Sequence, residues 1–374
     1  MKRTFIYAIL LCLTAIACNK TEEQPIATQK EISTGQAGML SSLLSEDEMR
    51  TLTELFISGP LNGSDIRVLR TMSKNYSLSI LNLKDASIVA GGNAYHTDSD
   101  GTSYYTIDND LSTRIFTSCK ALTSIVLPQN LKIIGDEAFQ NCSKLSHIEW
   151  FEGLDSIGEG AFSNTALTGD ILLPKSLRTI GRRAFFQNNQ IQKVIIQSDI
   201  TVPKYGTLYA VGGNSPFAYC EQLMEVVVNE GCSKLEIGFQ NCTALSSVTL
   251  PNSLTHLGAL SSTSCNYIFR YCENLHNITL PNRLQIIGEN CFSYSGLVEI
   301  EIPESVGQIQ TYAFSHTPLI SMKVNWDRPL EVNRNIFKEN DLEEATLYVP
   351  SGKKQLYSNH VTWGSFGNII EESK

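Results

Sequence analysis

Between Phe116 and Phe139 the apolar residues fall at Leu122, Ile125, Leu127, Leu131, Ile134 and Ala138, with polar residues between them. The same order then begins again. Phe116, Phe139, Phe162, Phe185, Phe217, Phe239, Phe269, Phe292, Phe314 and Phe337 stand 23, 23, 23, 32, 22, 30, 23, 22 and 23 residues apart. A period in this range marks a stacked array in which no single unit buries its own apolar face. The stretch Leu122-x-x-Ile125-x-Leu127 ends in period-two alternation, which predicts one short strand per coil with its apolar side chains turned inward. Pro128, Pro174, Pro251, Pro281 and Pro303 follow these strands and stop them, because proline has no amide hydrogen to continue a ladder. Gly135, Gly158, Gly181, Gly258 and Gly288 fall near the far turn, where a positive φ or a close backbone approach is expected. Helical spacing is absent, so strand and turn are predicted on both faces, with the phenylalanines inside.

These residues carry a family resemblance. From roughly residue 50 to residue 371 the pattern F-x-x-C/N-x-x-L-x-x-I-x-L-P-x-x-L-x-x-I-G-x-x-A resembles the leucine-rich repeats of BspA-like bacterial surface proteins. Leu55 to Met72, with Ser58-Gly59, Leu61-Asn62-Gly63, Asp65 and Leu69-Arg70, resembles that family's amino-terminal cap. Leu347-Tyr348-Val349-Pro350-Ser351-Gly352, then Tyr357, Trp363, Phe366 and Ile369, resembles its carboxy-terminal cap. The fold expected is therefore mostly β: a right-handed leucine-rich-repeat solenoid with parallel strands, a short helical N-terminal cap and a small C-terminal cap. Ends of this kind close an otherwise open sheet edge. Ser45-Glu46-Asp47-Glu48 reads as a capping box opening a helix that carries Leu52, Leu55 and Phe56.

Lys2 and Arg3 precede an apolar run from Phe5 to Leu13, which is too short to cross a bilayer and fits a secretory signal. Ala15-Ile16-Ala17 is compatible with ordinary signal-peptidase cleavage, but Cys18 directly after it resembles a lipobox, in which Cys18 is acylated. The acidic Glu22-Glu23 shortly afterwards resembles a surface-export signal, with a plain polar tether as the alternative. The expected organisation is a signal peptide over 1–17, a flexible tether over 18–44, a cap and first irregular coil over 45–115, repeats over 116–344 and a C-terminal cap over 345–374.

Charge removes one class of partner. The formal net charge is −9 and no basic stripe stands out, which argues against nucleic acid. Ten cysteines in an exported chain suggest disulfides, yet Cys119, Cys142, Cys220, Cys242 and Cys272 all sit three residues after a repeat phenylalanine. Thr165, Asn188, Ser295, Thr317 and Asn340 occupy that place in other coils, so the position calls for a small buried turn residue. Cys291 replaces the repeat alanine and Cys232 a repeat leucine. No paired C-x-x-C spacing suggests zinc. His96 to Thr102 lacks the ligand spacing of a calcium loop, and its Asp100-Gly101 reads as a hairpin turn.

Two features are candidates for ligand contact. The coils starting at Phe185 and Phe239 carry insertions near 204–216 and 259–268, with Tyr205, Leu208, Tyr209 and Val211 in the first and Tyr267 in the second. Per-repeat insertions often line a binding face, and loop tyrosines give contact area at low entropic cost; folding back over the core is the alternative. The second feature is the outward row of the strands: Val126, Glu149, Leu172, Ile195, Val227, Thr249, Thr279, Glu301, Lys323 and Thr346. Its aliphatic members Val126, Leu172, Ile195 and Val227 suit a partner site or simply follow strand propensity. Nucleophile, metalloprotease and phosphate-loop motifs are missing, so no enzyme and no cofactor are expected. The reading is a monomeric, lipid-anchored protein of the cell surface or outer membrane that touches the membrane through its anchor only. The resemblance implies adhesion to host or bacterial surface proteins; glycan capture or an envelope scaffold are the alternatives.

Overall fold

The computed structural model describes residues 28–203, 215–258 and 267–373. Most coils contribute a front strand and many a two-residue back strand, and all inter-coil pairing is parallel; the coil through Asn277–Leu280 forms no front strand, against the expectation of one per coil. In front, Gln29–Ser33, Glu54–Leu61, Ile80–Asn82, Ser124–Val126 and His147–Glu149 form one sheet. Thr168–Leu172, Gln190–Ile196, Glu225–Val228 and Ser247–Thr249 form the next, and Glu299–Ile302, Ser321–Val324, Thr346–Val349 and Asn368–Glu371 a third. Behind them run two further ladders, Asp110–Leu111 to Thr179–Ile180 and Lys234–Leu235 to Gln308–Ile309. The strand prolines close the following turn, with the amides of Leu131, Leu177, Leu254, Leu284 and Val306 donating to the carbonyls of Pro128, Pro174, Pro251, Pro281 and Pro303.

The repeat phenylalanines form a spine. Consecutive rings lie between 4.7 Å (Phe185 to Phe217) and 6.1 Å (Phe239 to Phe269) apart, every pair stacked. This is the spacing of offset aromatic pairs, each contributing about 0.5–1.5 kcal/mol beyond area burial. The long coils do not interrupt it: the Phe185 amide donates to the Pro216 carbonyl at 2.8 Å and that of Phe239 to Ile268 at 2.7 Å.

A third ladder runs along the phenylalanine turns without being a strand. Two residues after each ring the backbone is left-handed, at Ser118, Asn141, Asn164, Gln187, Tyr219, Asn241, Tyr271, Tyr294, His316 and Glu339. For residues other than glycine this costs roughly 1–2 kcal/mol each. An inter-coil hydrogen bond offsets it, as when Asn141 N donates to Ser163 O at 2.9 Å and Tyr294 N to Ser315 O at 3.0 Å. The repeat glycines serve mainly close approach: a Cβ on Gly181 would lie 2.3 Å from the Glu159 nitrogen. Positive φ falls to Gly258 among them.

Three residues after the ring, the buried thiols of Cys142, Cys220, Cys242 and Cys272 donate to the phenylalanine carbonyl of the preceding coil. Cys142 reaches Phe116 O at 3.0 Å, Cys242 reaches Phe217 O at 3.2 Å and Cys272 reaches Phe239 O at 3.3 Å. Asn188 makes the same contact to Phe162 O at 2.7 Å. The position takes a small side chain, with partners that vary: Thr317 Oγ1 donates to Phe314 O of its own coil, Thr165 Oγ1 to Asn188 Oδ1, and Ser295 Oγ is buried without a partner among the described residues. The seven cysteines among the described residues are free thiols.

Two sequence expectations are corrected at the amino end. The tether does not extend to residue 44: Gln29–Ser33 pairs in parallel with Glu54–Leu61, and Leu40 is fully buried. Asp65 fixes this segment by accepting from the amides of Gly38 at 2.6 Å and Leu40 at 2.9 Å. The helix opened by the Ser45/Glu48 capping box spans only Glu46–Thr51, so Leu52 is its C-cap and Leu55 and Phe56 lie in the following strand. There the buried positions Leu55 and Ile57 alternate, and burial on one sheet face decides the conformation. The helix Gly63–Asn75 supplies Arg70, whose guanidinium donates to the carbonyls of Arg114 and Ile115 at 2.6 and 2.7 Å, ahead of the first ring. At the other end, Trp363 and Phe366 meet Phe337 edge-on at 5.7 and 5.3 Å and close the stack. The Asp100-Gly101 segment is a hairpin, Gly91–Thr97 against Ser103–Thr106.

Candidate binding surface

Ladder register determines which outward side chains stand side by side on the front. Leu172, Ile195, Val227 and Thr249 are direct neighbours across four strands. Leu172 is 45% exposed, while Ile195 and Val227 are half-buried, so the three make an apolar ridge open on its Leu172 side. The adjacent row reads Asp170, Lys193, Glu225 and Ser247, with Lys193 and Glu225 paired at 2.9 Å. Val126 belongs elsewhere: its partners are Asn82 and Glu149 in the preceding sheet, and no ladder joins Glu149 to Leu172. The aliphatic row is therefore a cluster of three with Val126 set apart from it.

The carboxy-terminal part of the same face is ionic. Lys323 stands between Glu301 and Tyr348, and its ammonium lies 3.2 Å from both Glu301 and Glu372. Hydrogen bonds to Glu372 and then Glu301 hold this ammonium above the usual lysine value. Asn325, followed by Lys323, lowers the Glu301 carboxyl. A shallow groove of about 600 Å³ opens here, lined by Asn277, Thr279, Glu299, Ser321, Lys323 and Tyr348. Thr346, placed in the outward row by a simple 23-residue step, aligns instead with Ser321. The segment between these strands is longer by two residues, which brings Tyr348 beside Lys323.

Of the loop candidates, Tyr267 is half-buried and lies under the Arg270 guanidinium at 4.9 Å from ring centroid to Cζ. Its ring is thus part of a cluster with Tyr271 and Tyr294, whose centroids are 4.8 and 5.4 Å from the same guanidinium. Tyr205, Leu208, Tyr209, Val211 and Cys18 lie outside the described residues. On the front, an apolar patch flanked by fixed ion pairs suits recognition of a macromolecular surface: the apolar centre supplies burial and the charges supply orientation.

A family model described as the BspA type leucine rich repeat region, in six copies, matches residues 109–212 and 262–359. A leucine-rich repeat protein from Bacteroides ovatus is 24% identical and superposes with a TM-score of 0.50, over 79% of this chain and 69% of that one. The pneumococcal vaccine antigen PcpA is 18% identical with a TM-score of 0.43, over 87% and 84% of the two chains. A leucine rich cell surface protein from Faecalibacterium prausnitzii is 16% identical with a TM-score of 0.27, over 79% and 88%. No curated protein matches this chain by sequence.

Proposed function

This chain belongs to the BspA-type leucine-rich repeat family, and from that premise we propose that it is a non-enzymatic binding protein, displayed at the cell surface, whose front face recognises an extracellular protein. The observation that carries the reading is the in-register cluster of Leu172, Ile195 and Val227, with Leu172 45% exposed on a face otherwise studded with charge. An exposed aliphatic ridge serves a partner better than it serves the isolated fold. The acylated Cys18 and the residues after it would hold this face away from the membrane.

The test is adhesion of the purified chain to immobilised collagen, fibronectin and laminin, compared with Leu172→Glu and Val227→Glu. The expected result is binding by the native chain to at least one of them, lost in both variants while thermal stability of Leu172→Glu is unchanged. Failure of the native chain to bind any, or equal binding by the variants, overturns the reading. Palmitate incorporation into the native chain and its loss in Cys18→Ser test the anchor.

A further inference from the structure

The back of the molecule carries a groove of about 500 Å³ between the hairpin and the first back strands. Its walls come from segments far apart in the coil: Tyr104, Tyr105 and Ile107 from the hairpin, and Asp110, Ile133 and Ser156 in one register row. Tyr105, Ile107 and Ile133 are 55%, 57% and 39% exposed, so the wall presents apolar surface to solvent. Asp110 Oδ1 is buried and has no hydrogen-bond partner among the described residues, while the Ser112 hydroxyl faces Tyr95. Ser112 is only 5% exposed. A buried polar atom left without a partner costs about 1–3 kcal/mol unless one arrives.

The sign of the missing partner follows from charge. Asp110, Asp136 and Glu159 line the groove, and among the described residues no lysine, arginine or histidine does. Asp136 and Glu159 are already engaged, the first accepting from the Glu159 amide at 2.7 Å and the second facing Arg182 at 3.4 Å. The nearby Arg114 is committed to Asp98 and, at 2.7 Å, to Glu137. Asp110 alone among these carboxylates holds a buried oxygen without a donor. Burial, and then the charge of Asp136, disfavour its ionised form and hold its carboxyl above the usual range; a cation seated beside it would favour that form by direct attraction. One ring of the wall is fixed, because the Tyr104 hydroxyl donates to Asp98 at 2.8 Å and its ring stacks on His96 at 5.7 Å, while the neighbouring Tyr105 ring is exposed.

We propose that this groove is a second binding site, which seats a lysine or arginine side chain of an extended polypeptide with its cationic head on Asp110 and its stem along Ile107, Ile133 and the Tyr105 ring. Aromatic and carboxylate groups together suit a cation better than either does alone. The site lies on the back strands and does not depend on the front-face reading.

The experiment is calorimetric titration of the full chain with acetylated, amidated trilysine and triarginine, with triglycine and maltotriose as neutral probes. At least one basic peptide should bind and the neutral probes should not. Asp110→Asn and, independently, the exposed Tyr105→Ala should each weaken binding by about tenfold or more. Glu344→Gln, which removes one exposed charge remote from both grooves, should leave affinity unchanged. The proposal is overturned if neither basic peptide binds, if Asp110→Asn binds as well as the native chain, if Glu344→Gln weakens binding equally, or if maltotriose binds in their place.

Discussion

Phe185 and Phe186 are neighbours in sequence with opposite environments, and replacing each by alanine separates the spine from the surface. Phe185 is fully buried, stacked on Phe162 at 5.3 Å and on Phe217 at 4.7 Å, with Trp150 tilted against it at 6.0 Å. Phe186 is half-buried and has an edge contact to Tyr219 at 5.4 Å and the Arg183 guanidinium 5.3 Å from its ring centroid. Removing a buried ring costs about 3–5 kcal/mol, since the lost transfer energy adds to that of the cavity, and collapse is restricted by rings on both sides. Phe186→Ala loses the Tyr219 edge contact, the Arg183 guanidinium over its ring and partial burial, about 1–2 kcal/mol. The expected gap is therefore about 2–3 kcal/mol. Urea denaturation followed by circular dichroism reads it as a difference in midpoint, provided the m-values of the two variants agree. Phe185→Leu, which keeps most of the volume and loses the stacking, should fall between the two. Equal destabilisation by Phe185→Ala and Phe186→Ala would refute a continuous aromatic core through the long coil.

Three other consequences are checked simply. In a chain with Cys12, Cys18 and Cys265 replaced by serine, the seven remaining thiols should ignore Ellman's reagent at pH 8 and react fully in guanidinium. Burial pushes Cys119 up to about 11 and Cys220 up to about 12, so rapid native-state labelling would contradict their placement. Asn188→Leu leaves the Phe162 carbonyl and the Thr165 hydroxyl without their buried partner, at about 1–3 kcal/mol for each group. Asn188→Cys restores the donor to the Phe162 carbonyl but not the acceptor for the Thr165 hydroxyl, and should recover about half of that stability by urea titration. The Glu48 carboxyl is drawn down from 4.5 to about 2 by the Lys30 ammonium, then by the Ser45 amide and hydroxyl. Its folded value is depressed, so its stabilising effect is present above pH 4.5 and fades as pH falls toward 2. The thermal-stability difference between native and Glu48→Gln should shrink over that interval, and a constant difference would count against the contact.

The repeat was legible because each coil solves the same packing problem, so Phe139, Leu122 and Gly135 report one environment many times over. The small residue after the ring was legible as a pattern, while the bond that Cys142, Cys220, Cys242, Cys272 and Asn188 make to the phenylalanine carbonyl of the coil before needed coordinates. Gln29–Ser33 was hidden because a lone edge strand buries only Ile32 and otherwise reads as polar tether. Thr346 was displaced from the expected row, and Tyr348 brought into it, by two extra residues, a small change that period-based alignment cannot place. The groove at Asp110 was invisible for a different reason. Its back strands are two residues long and too short to show alternation, and its aromatic wall comes from a hairpin outside the repeat.

Amide hydrogen exchange resolved to single residues tests the continuous coil most directly, in the two long coils. The amides of Phe185, Gln187, Phe239 and Asn241 lie outside every strand, yet each donates to the next coil across an insertion, to Pro216, Ala218, Ile268 and Arg270 at 2.8, 3.1, 2.7 and 2.9 Å. They should exchange as slowly as the corresponding amides of Phe139 and Asn141 in an uninterrupted coil. Exchange at the rate of open turns in those four residues, with Phe139 and Asn141 still protected, would mean that the stack breaks at the insertions.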